Sequence, residues 1–166
     1  MKNLLKSCRD IILTVFVMIF LMNFVFINAY IPSGSMENTI MTGDRVFGVR
    51  FLKQYDRGDI VIFRDPDGGN YYLIKRIIGL PGETVEISDG MVYVNGIRLD
   101  EPYLKEKMAG EEKFSITLPE DGYFVMGDNR NDSYDARYWE HKVVFGEEIA
   151  GKALFRYWPF HQMKML

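Results

Sequence analysis

Cysteine is all but missing from this 166-residue chain. Cys8 stands alone, so no internal disulfide can form and a folded domain must be held by packing. Cys8 lies beside an apolar run, where acylation is chemically conceivable, but an unmodified small side chain is the commoner state. Histidine is nearly as scarce: His141 and His161 are far apart and lack ligand-spaced partners, so neither a metal site nor a cofactor is expected. A basic excess is also lacking. Lys and Arg total 20 against 23 Asp and Glu, for a net charge of -3, which excludes a basic nucleic-acid surface; with 48% hydrophobic residues, disorder is excluded too. The length allows one soluble domain of modest size and an anchor.

Charge is absent altogether from residues 11–31 (IILTVFVMIFLMNFVFINAYI). At about 1.5 Å per residue, roughly 21 such residues cross the ~30 Å hydrocarbon core, so this segment is expected to be a transmembrane helix that also contacts membrane lipid. Asn23 is its one deep amide; Asn28 and Tyr30 would sit near the far interface. Lys2, Lys6 and Arg9 precede the run and no Lys or Arg follows until Arg45. That asymmetry places residues 1–10 in the cytoplasm and everything from residue 32 outside. A cleaved signal peptide is the competing reading, but the run is long for one, and cleavage after Ala29 would put the bulky Ile27 where a small residue is preferred.

Beyond the anchor no stretch keeps a helical period, and there is no second span. Short apolar runs recur between turn signals. Val46 to Phe51, Ile60 to Phe63 and Tyr71 to Ile78 read as strands, the last two joined by the turn cluster Asp65-Pro66-Asp67-Gly68-Gly69-Asn70. Val85-Glu86-Ile87 and Met91 to Val94 flank Asp89-Gly90, a two-residue hairpin signal, and Asn95-Gly96 supplies another. Residues 99–112 are charged, contain Pro102 and Gly110, and read as a surface loop. Strands resume at Phe114 to Leu118, Tyr123 to Met126, Val143 to Phe145 and Lys152 to Trp158. The soluble part is therefore expected to be all-β, with coiled antiparallel sheets forming a barrel-like body.

Two features admit chemistry. Pro32-Ser33-Gly34-Ser35-Met36 leaves the apolar run with two hydroxyls around a glycine, which is ordinary linker composition but also suits a nucleophilic serine on a turn. Lys75 lies in an apolar strand with Leu73, Ile74, Ile77 and Ile78. On one reading it reaches solvent from the alternate face. On the other it points inward, where desolvation lowers its pKa from about 10.4 and leaves an amine able to take a proton from a serine hydroxyl.

These residues fall within a wider pattern. Pro32-Ser33-Gly34-Ser35-Met36, Arg57-Gly58-Asp59-Ile60-Val61, Lys75-Arg76-Ile77-Ile78-Gly79-Leu80-Pro81-Gly82-Glu83 and Gly127-Asp128-Asn129-Arg130, followed by Ser133, Asp135 and Arg137, stand in this order behind one anchor. The chain resembles the type I signal peptidases, membrane-bound serine endopeptidases that remove signal peptides from exported preproteins with a Ser-Lys pair. The resemblance implies Ser35 as nucleophile and Lys75 as general base. It implies an oxyanion hole of the Ser33 hydroxyl and the Ser35 backbone N–H, a Ser133 hydroxyl hydrogen-bonded to the Lys75 amine, and an Asp135–Arg137 pair bracing the site, with Asp128 and Arg130 in the same loop. It implies preprotein partners with small residues at the first and third positions before the cut, lying extended along a strand edge. About residues 84–123 would be the family-variable insertion. The chain departs from the pattern at Asn38, where the family has Pro, at Ile40 for Leu, and at Ala136 for Ser. Asn131-Asp132-Ser133 also spells a glycosylation sequon, at odds with a place in the site. A tethered β-domain that binds a partner without catalysis is the alternative; a self-cleaving regulator of related fold finds no Ala-Gly cleavage segment paired with a DNA-binding region, and the anchor argues against it.

Overall fold

The structure, a computed structural model, describes residues 2–52, 54–110 and 113–166. The Lys2 side chain of the basic flank, Lys53, and Glu111 and Glu112 at the end of the expected surface loop lie outside the described residues. The chain begins with helix α1 (Lys2–Phe20), continued by a π-helical turn at Leu21–Val25. Residues Lys6–Val25 make a stretch of 20, long enough and apolar enough to cross a membrane. Its apolar side chains stand exposed around the rod, as a helix surrounded by lipid requires. The deep amide is satisfied locally, with Asn23 Nδ2 donating to the Ile19 carbonyl at 2.8 Å.

The helix stops earlier than the charge-free run does. Residues 26–30, expected inside the 11–31 span, are strand β1 (Phe26–Tyr30), paired residue by residue with β2 (Arg45–Val49), from Phe26 opposite Val49 to Tyr30 opposite Arg45. Side-chain alternation suits this segment to a half-covered sheet edge: Ile27 is buried while Asn28 and Tyr30 face outward. Arg50 fixes the junction, its backbone N–H donating to Val25 O at 2.8 Å and its Nε to Phe26 O at 2.8 Å. Asn28 then accepts from the Tyr157 hydroxyl at 3.0 Å. Hydropathy alone could not mark this change, because a buried strand and a lipid-facing helix use the same side chains.

The remaining strands are β3 (Ile60–Arg64), β4 (Tyr72–Gly79), β5 (Thr84–Ser88), β6 (Met91–Val94), β7 (Ile97–Arg98), β8 (Phe114–Thr117), β9 (Gly122–Met126), β10 (Val144–Phe145), β11 (Ile149–Trp158) and β12 (Lys164–Met165). One eight-stranded sheet runs β1-β2-β11-β3-β4-β9-β10, with β12 on β11; a four-stranded sheet runs β7-β6-β5-β8. Every pairing is antiparallel. Beyond the helix the described residues are thus all-β, two antiparallel sheets with short 3-10 turns between strands. The small sheet occupies residues 84–117 and owes its register to its turns: Asp89-Gly90 and Asn95-Gly96 all have positive φ, the backbone of a type I′ hairpin.

Two cores follow from this topology. Strands β3 and β9 are covered on both faces, so their sequences are continuously apolar. Phe63, Ile77, Phe124 and Val125 join Trp139 in the larger core, while Ile31, Met36, Ile40, Ile60 and Ile74 form a second beneath the turn after β1. Trp139 is 2% exposed and meets Phe63 edge-on at 5.8 Å between ring centroids, seating the 133–139 loop on β3. Trp139→Ala is expected to cost about 3–5 kcal/mol of folding stability, read as a shifted urea midpoint for the detergent-solubilised protein.

Candidate active site

Ser35 sits on a turn whose neighbours are nailed down from below. Met36 and Ile40 are fully buried in the second core, and Ile31 anchors the entry. Backbone bonds close the turn: Glu37 N–H to Gly34 O at 3.0 Å, Ile40 N–H to Met36 O at 2.9 Å and Ile31 N–H to Asp44 O at 3.0 Å. Fixed apolar residues on either side leave the serine little freedom, which a flexible linker would not do. Ser35 is 7% exposed, whereas Ser33 is open to solvent with its Oγ 3.5 Å from Ser35 Oγ. Among the described residues the Ser35 backbone N–H has no hydrogen-bond partner. That N–H and the Ser33 hydroxyl are therefore both free to donate to a ligand atom.

Lys75 lies in β4 opposite Val61 of β3. It does not reach solvent: from Ile74 onward both faces of β4 are covered, and Lys75 is 3% exposed. Its Nζ stands 2.6 Å from Ser35 Oγ, across 40 residues of sequence. Burial pushes the Lys75 pKa down from 10.5 to about 8; Asp135 and Asp128 oppose the drop and Arg137 adds to it. Desolvation wins because both carboxylates are already engaged by arginines.

The loop after β9 supplies those pairs. Asp135 is fully buried and receives a forked guanidinium, Arg137 Nε to Oδ1 at 2.8 Å and Nη2 to Oδ2 at 2.9 Å, together with the Gly127 N–H at 2.9 Å. Asp128 is likewise fully buried and holds Arg76, Nε at 2.8 Å and Nη2 at 2.6 Å, and the Thr39 hydroxyl at 2.5 Å. Asn129 ties the loop to the serine turn, donating from its backbone N–H to Ser35 O at 3.1 Å and from Nδ2 to Gly34 O at 3.0 Å. Gly127 permits that approach, since a Cβ there would lie 2.4 Å from Ser35 O and 2.3 Å from Ser133 Oγ. Arg130 is buried against Glu101 and donates from Nε to Gly127 O at 3.2 Å.

All eight residues singled out in the sequence thus meet in one place, with one partner changed. Ser133 was expected to hydrogen-bond the Lys75 amine; its hydroxyl instead donates to Asp135 Oδ2 at 2.7 Å. A buried carboxylate is the stronger acceptor and lies two residues away in the same turn. Three contributors went unrecognised in sequence. Arg76 stands in the Lys75-to-Glu83 pattern with no implied role, Thr39 carries no signal in sequence, and Glu101 lies in the stretch that reads as a surface loop. The departure at Asn38 also finds an explanation: its φ is +84°, which proline cannot adopt, and its Nδ2 donates to Tyr103 O at 3.3 Å. Ala136 is fully buried, so the hydroxyl missing there would have needed a partner. Among the described residues no three His, Cys, Asp or Glu side chains are grouped to hold a metal ion.

Residues 4–158 match the family described as signal peptidase, peptidase S26. Signal peptidase I S of Bacillus subtilis (strain 168) is 35% identical over 98% of this chain and 94% of its own length. A probable signal peptidase I-2 of Synechocystis sp. is 40% identical over 98% of this chain and 77% of its own. Among solved structures, a crystal structure of a signal peptidase I from Enterococcus faecalis V583 shares 37% identity with a TM-score of 0.53, covering 61% of this chain and 97% of that one.

The buried amine has a thermodynamic signature. Between about 8 and 10.5 the unfolded chain holds more protons at Lys75 than the folded one, so stability rises with pH across that window and the cost of burial is full below it. At roughly 1.4 kcal/mol per pH unit that cost is about 3 kcal/mol. Lys75→Met is expected to melt higher than the parent at pH 7, with the difference closing toward pH 10.5 in a calorimetric series.

Proposed function

The chain belongs to the signal peptidase family, peptidase S26, and from that membership we propose a Ser35–Lys75 dyad as its catalytic machinery. The protein is a serine endopeptidase of the membrane that removes signal peptides from preproteins. The observation that supports the dyad is the 2.6 Å between Ser35 Oγ and a Lys75 amine whose pKa is held down to about 8.

In this reading neutral Lys75 accepts the Ser35 proton as Oγ bonds to the scissile carbonyl carbon. The carbonyl oxygen becomes an oxyanion, taken up by the Ser35 N–H and the Ser33 hydroxyl, and such donors are typically worth about 2.7–4 kcal/mol each in the transition state. Collapse breaks the C–N bond, and the ammonium of Lys75 returns its proton to the departing amine. Water then attacks the ester with Lys75 again as base, releasing the signal peptide as a carboxylate and restoring Ser35. Asp135–Arg137 and Asp128–Arg76 brace the two sides, and Ser133 acts through Asp135.

The register of β4 supplies a place for the substrate. On its β3 side β4 is paired from Tyr72 to Arg76, but β9 takes up only Arg76 to Gly79. The edge from Tyr72 to Lys75 remains open immediately before the base, where an extended preprotein can add main-chain hydrogen bonds. Small residues before the cut suit close approach to this edge. The helix would anchor the enzyme with Lys6 and Arg9 on the cytoplasmic side and the β body outside.

Ser35→Ala and Lys75→Ala are each expected to abolish preprotein cleavage by folded enzyme in detergent or liposomes; cleavage surviving in pure Lys75→Ala protein would remove the dyad. Because the base must be neutral, kcat should climb about tenfold per pH unit below about 8 and level off above it. A profile flat from pH 5 to 9 would contradict this.

A further inference from the structure

The stretch between β7 and β8 reaches both halves of the site. From Glu101 to Ala109 it crosses the serine turn and the loop after β9. Lys105 pairs its Nζ with Glu37 Oε2 at 2.8 Å, one residue beyond Met36, and its backbone N–H meets Asp128 O at 3.4 Å. Asn38 donates to the Tyr103 carbonyl, and Ala109 N–H donates to Asn131 Oδ1 at 2.8 Å. Met108 is 8% exposed and packs into the larger core, pinning the far end.

Two side chains at its start act on the arginines. Tyr103 lies under Arg76, with the guanidinium carbon 4.1 Å from the ring centroid, and Arg76 follows Lys75 directly. The Tyr103 hydroxyl donates to Glu101 Oε1 at 2.8 Å. Glu101 grips Arg130 with both oxygens, Nη1 reaching Oε2 at 3.1 Å and Nη2 reaching Oε1. The side chains of this pair are 1% and 8% exposed, so it is a desolvated ion pair. Arg130 in turn donates to Gly127 O, the glycine whose backbone abuts Ser35 O and donates to Asp135.

We propose that residues 101–109 form a strap that sets the spacing of the proposed dyad, with Glu101 as a positioning residue acting through Arg130. The inference rests on Ser35 and Lys75 being that dyad. Glu101 touches neither reacting atom. Its charge determines where a buried cation points. Without it, Arg130 is left as an uncompensated buried charge in a loop whose buried carboxylates are Asp128 and Asp135. Those two are the groups that hold Arg76 and Arg137 in place, so competition for them would move the backbone at Gly127 and with it Ser35. Displacements of about 1 Å at such a site are sufficient to cost about 100-fold in rate.

The test is steady-state cleavage of a preprotein by the full-length enzyme in detergent micelles, with folded fraction fixed by calorimetry at the assay temperature. Glu101→Gln, which keeps the shape and removes the charge, is expected to lower kcat per folded molecule about 10- to 100-fold while KM stays within about twofold. Glu101→Asp, which keeps the charge, should recover part of that loss. Tyr103→Phe, which removes one hydrogen bond and leaves the ring on Arg76, should lower kcat about fivefold, and it decides the matter should Glu101→Gln fail to fold. Wild-type kcat in folded Glu101→Gln, or a loss confined to KM, would overturn the proposal. Ser35→Ala in the same assay separates the two readings: if it still cleaves, the dyad falls; if it is dead while Glu101→Gln and Tyr103→Phe are unimpaired, the strap alone falls.

Discussion

A dry amine beside a hydroxyl, with no carboxylate free to claim it, is the constraint on which the site depends. An ammonium in an apolar strand would find a carboxylate partner if one were loose, and its pKa would then rise rather than fall. Two carboxylates do lie close enough to act on Lys75, Asp135 and Asp128. Each is fully buried and each is clamped by its own arginine, Arg137 and Arg76. Arg137 opposes the carboxylate field at Nζ, and desolvation, the largest influence, decides, so the amine is brought toward neutrality. Holding Lys75 this way costs about 3 kcal/mol, a large share of the 5–15 kcal/mol by which a domain is ordinarily stable. The apolar cores on both sides of β4 are what offset it.

Strand β4 does two jobs along its length because its neighbours end at different places. Its second half is enclosed between β3 and β9 and gives Lys75 and Arg76 fixed positions in a covered sheet. Its first half has β3 on one side only. The change occurs at Arg76, one residue after the proposed base, so the same register that fixes the amine also ends the protected edge. The loop leaving β9 therefore turns away at this point, and Gly127 to Arg137 fold back over the serine turn instead of extending the ladder.

Much of this was legible in the residues. The strands from β2 to β6 and from β8 to β11 fall within a few residues of the apolar runs, while β7 (Ile97–Arg98) follows from the Asn95-Gly96 turn alone; Asp89-Gly90 and Asn95-Gly96 make the hairpins their composition predicts. Ser35, Lys75 and the Asp135–Arg137 pair came through the resemblance, since neither Pro-Ser-Gly-Ser nor a lysine in a strand distinguishes linker from nucleophile or solvated amine from base. What stayed hidden has physical reasons. The end of the helix at Val25 is set by pairing of β1 with β2, a long-range contact that local hydropathy does not encode. The Glu101–Arg130 pair and the bond from Ser133 to Asp135 depend on which buried partner is nearest once the chain has folded. In a charged, aperiodic stretch Glu101 and Lys105 look solvated because their partners, Arg130 and Glu37, lie far away in the sequence.

The strand that replaces the end of the expected span also alters how the site relates to the bilayer. Reading 11–31 as helix puts Ser35 about four residues from the membrane. With the helix ending at Val25, the five residues of β1 intervene, and at about 3.3 Å per residue they carry the chain up to roughly 17 Å before the serine turn begins. If Ser35 is the nucleophile, as proposed, a preprotein held in the bilayer by its own apolar segment has up to a comparable distance to cover to present its scissile bond there. Over so few residues a helix, at about 1.5 Å per residue, falls short where an extended strand does not. On the proposed docking, the open edge of β4 from Tyr72 to Lys75 takes the same extended form. On the proposed dyad and docking edge, the length of β1 and the open edge make the same demand on the substrate, that its chain be extended before the cut.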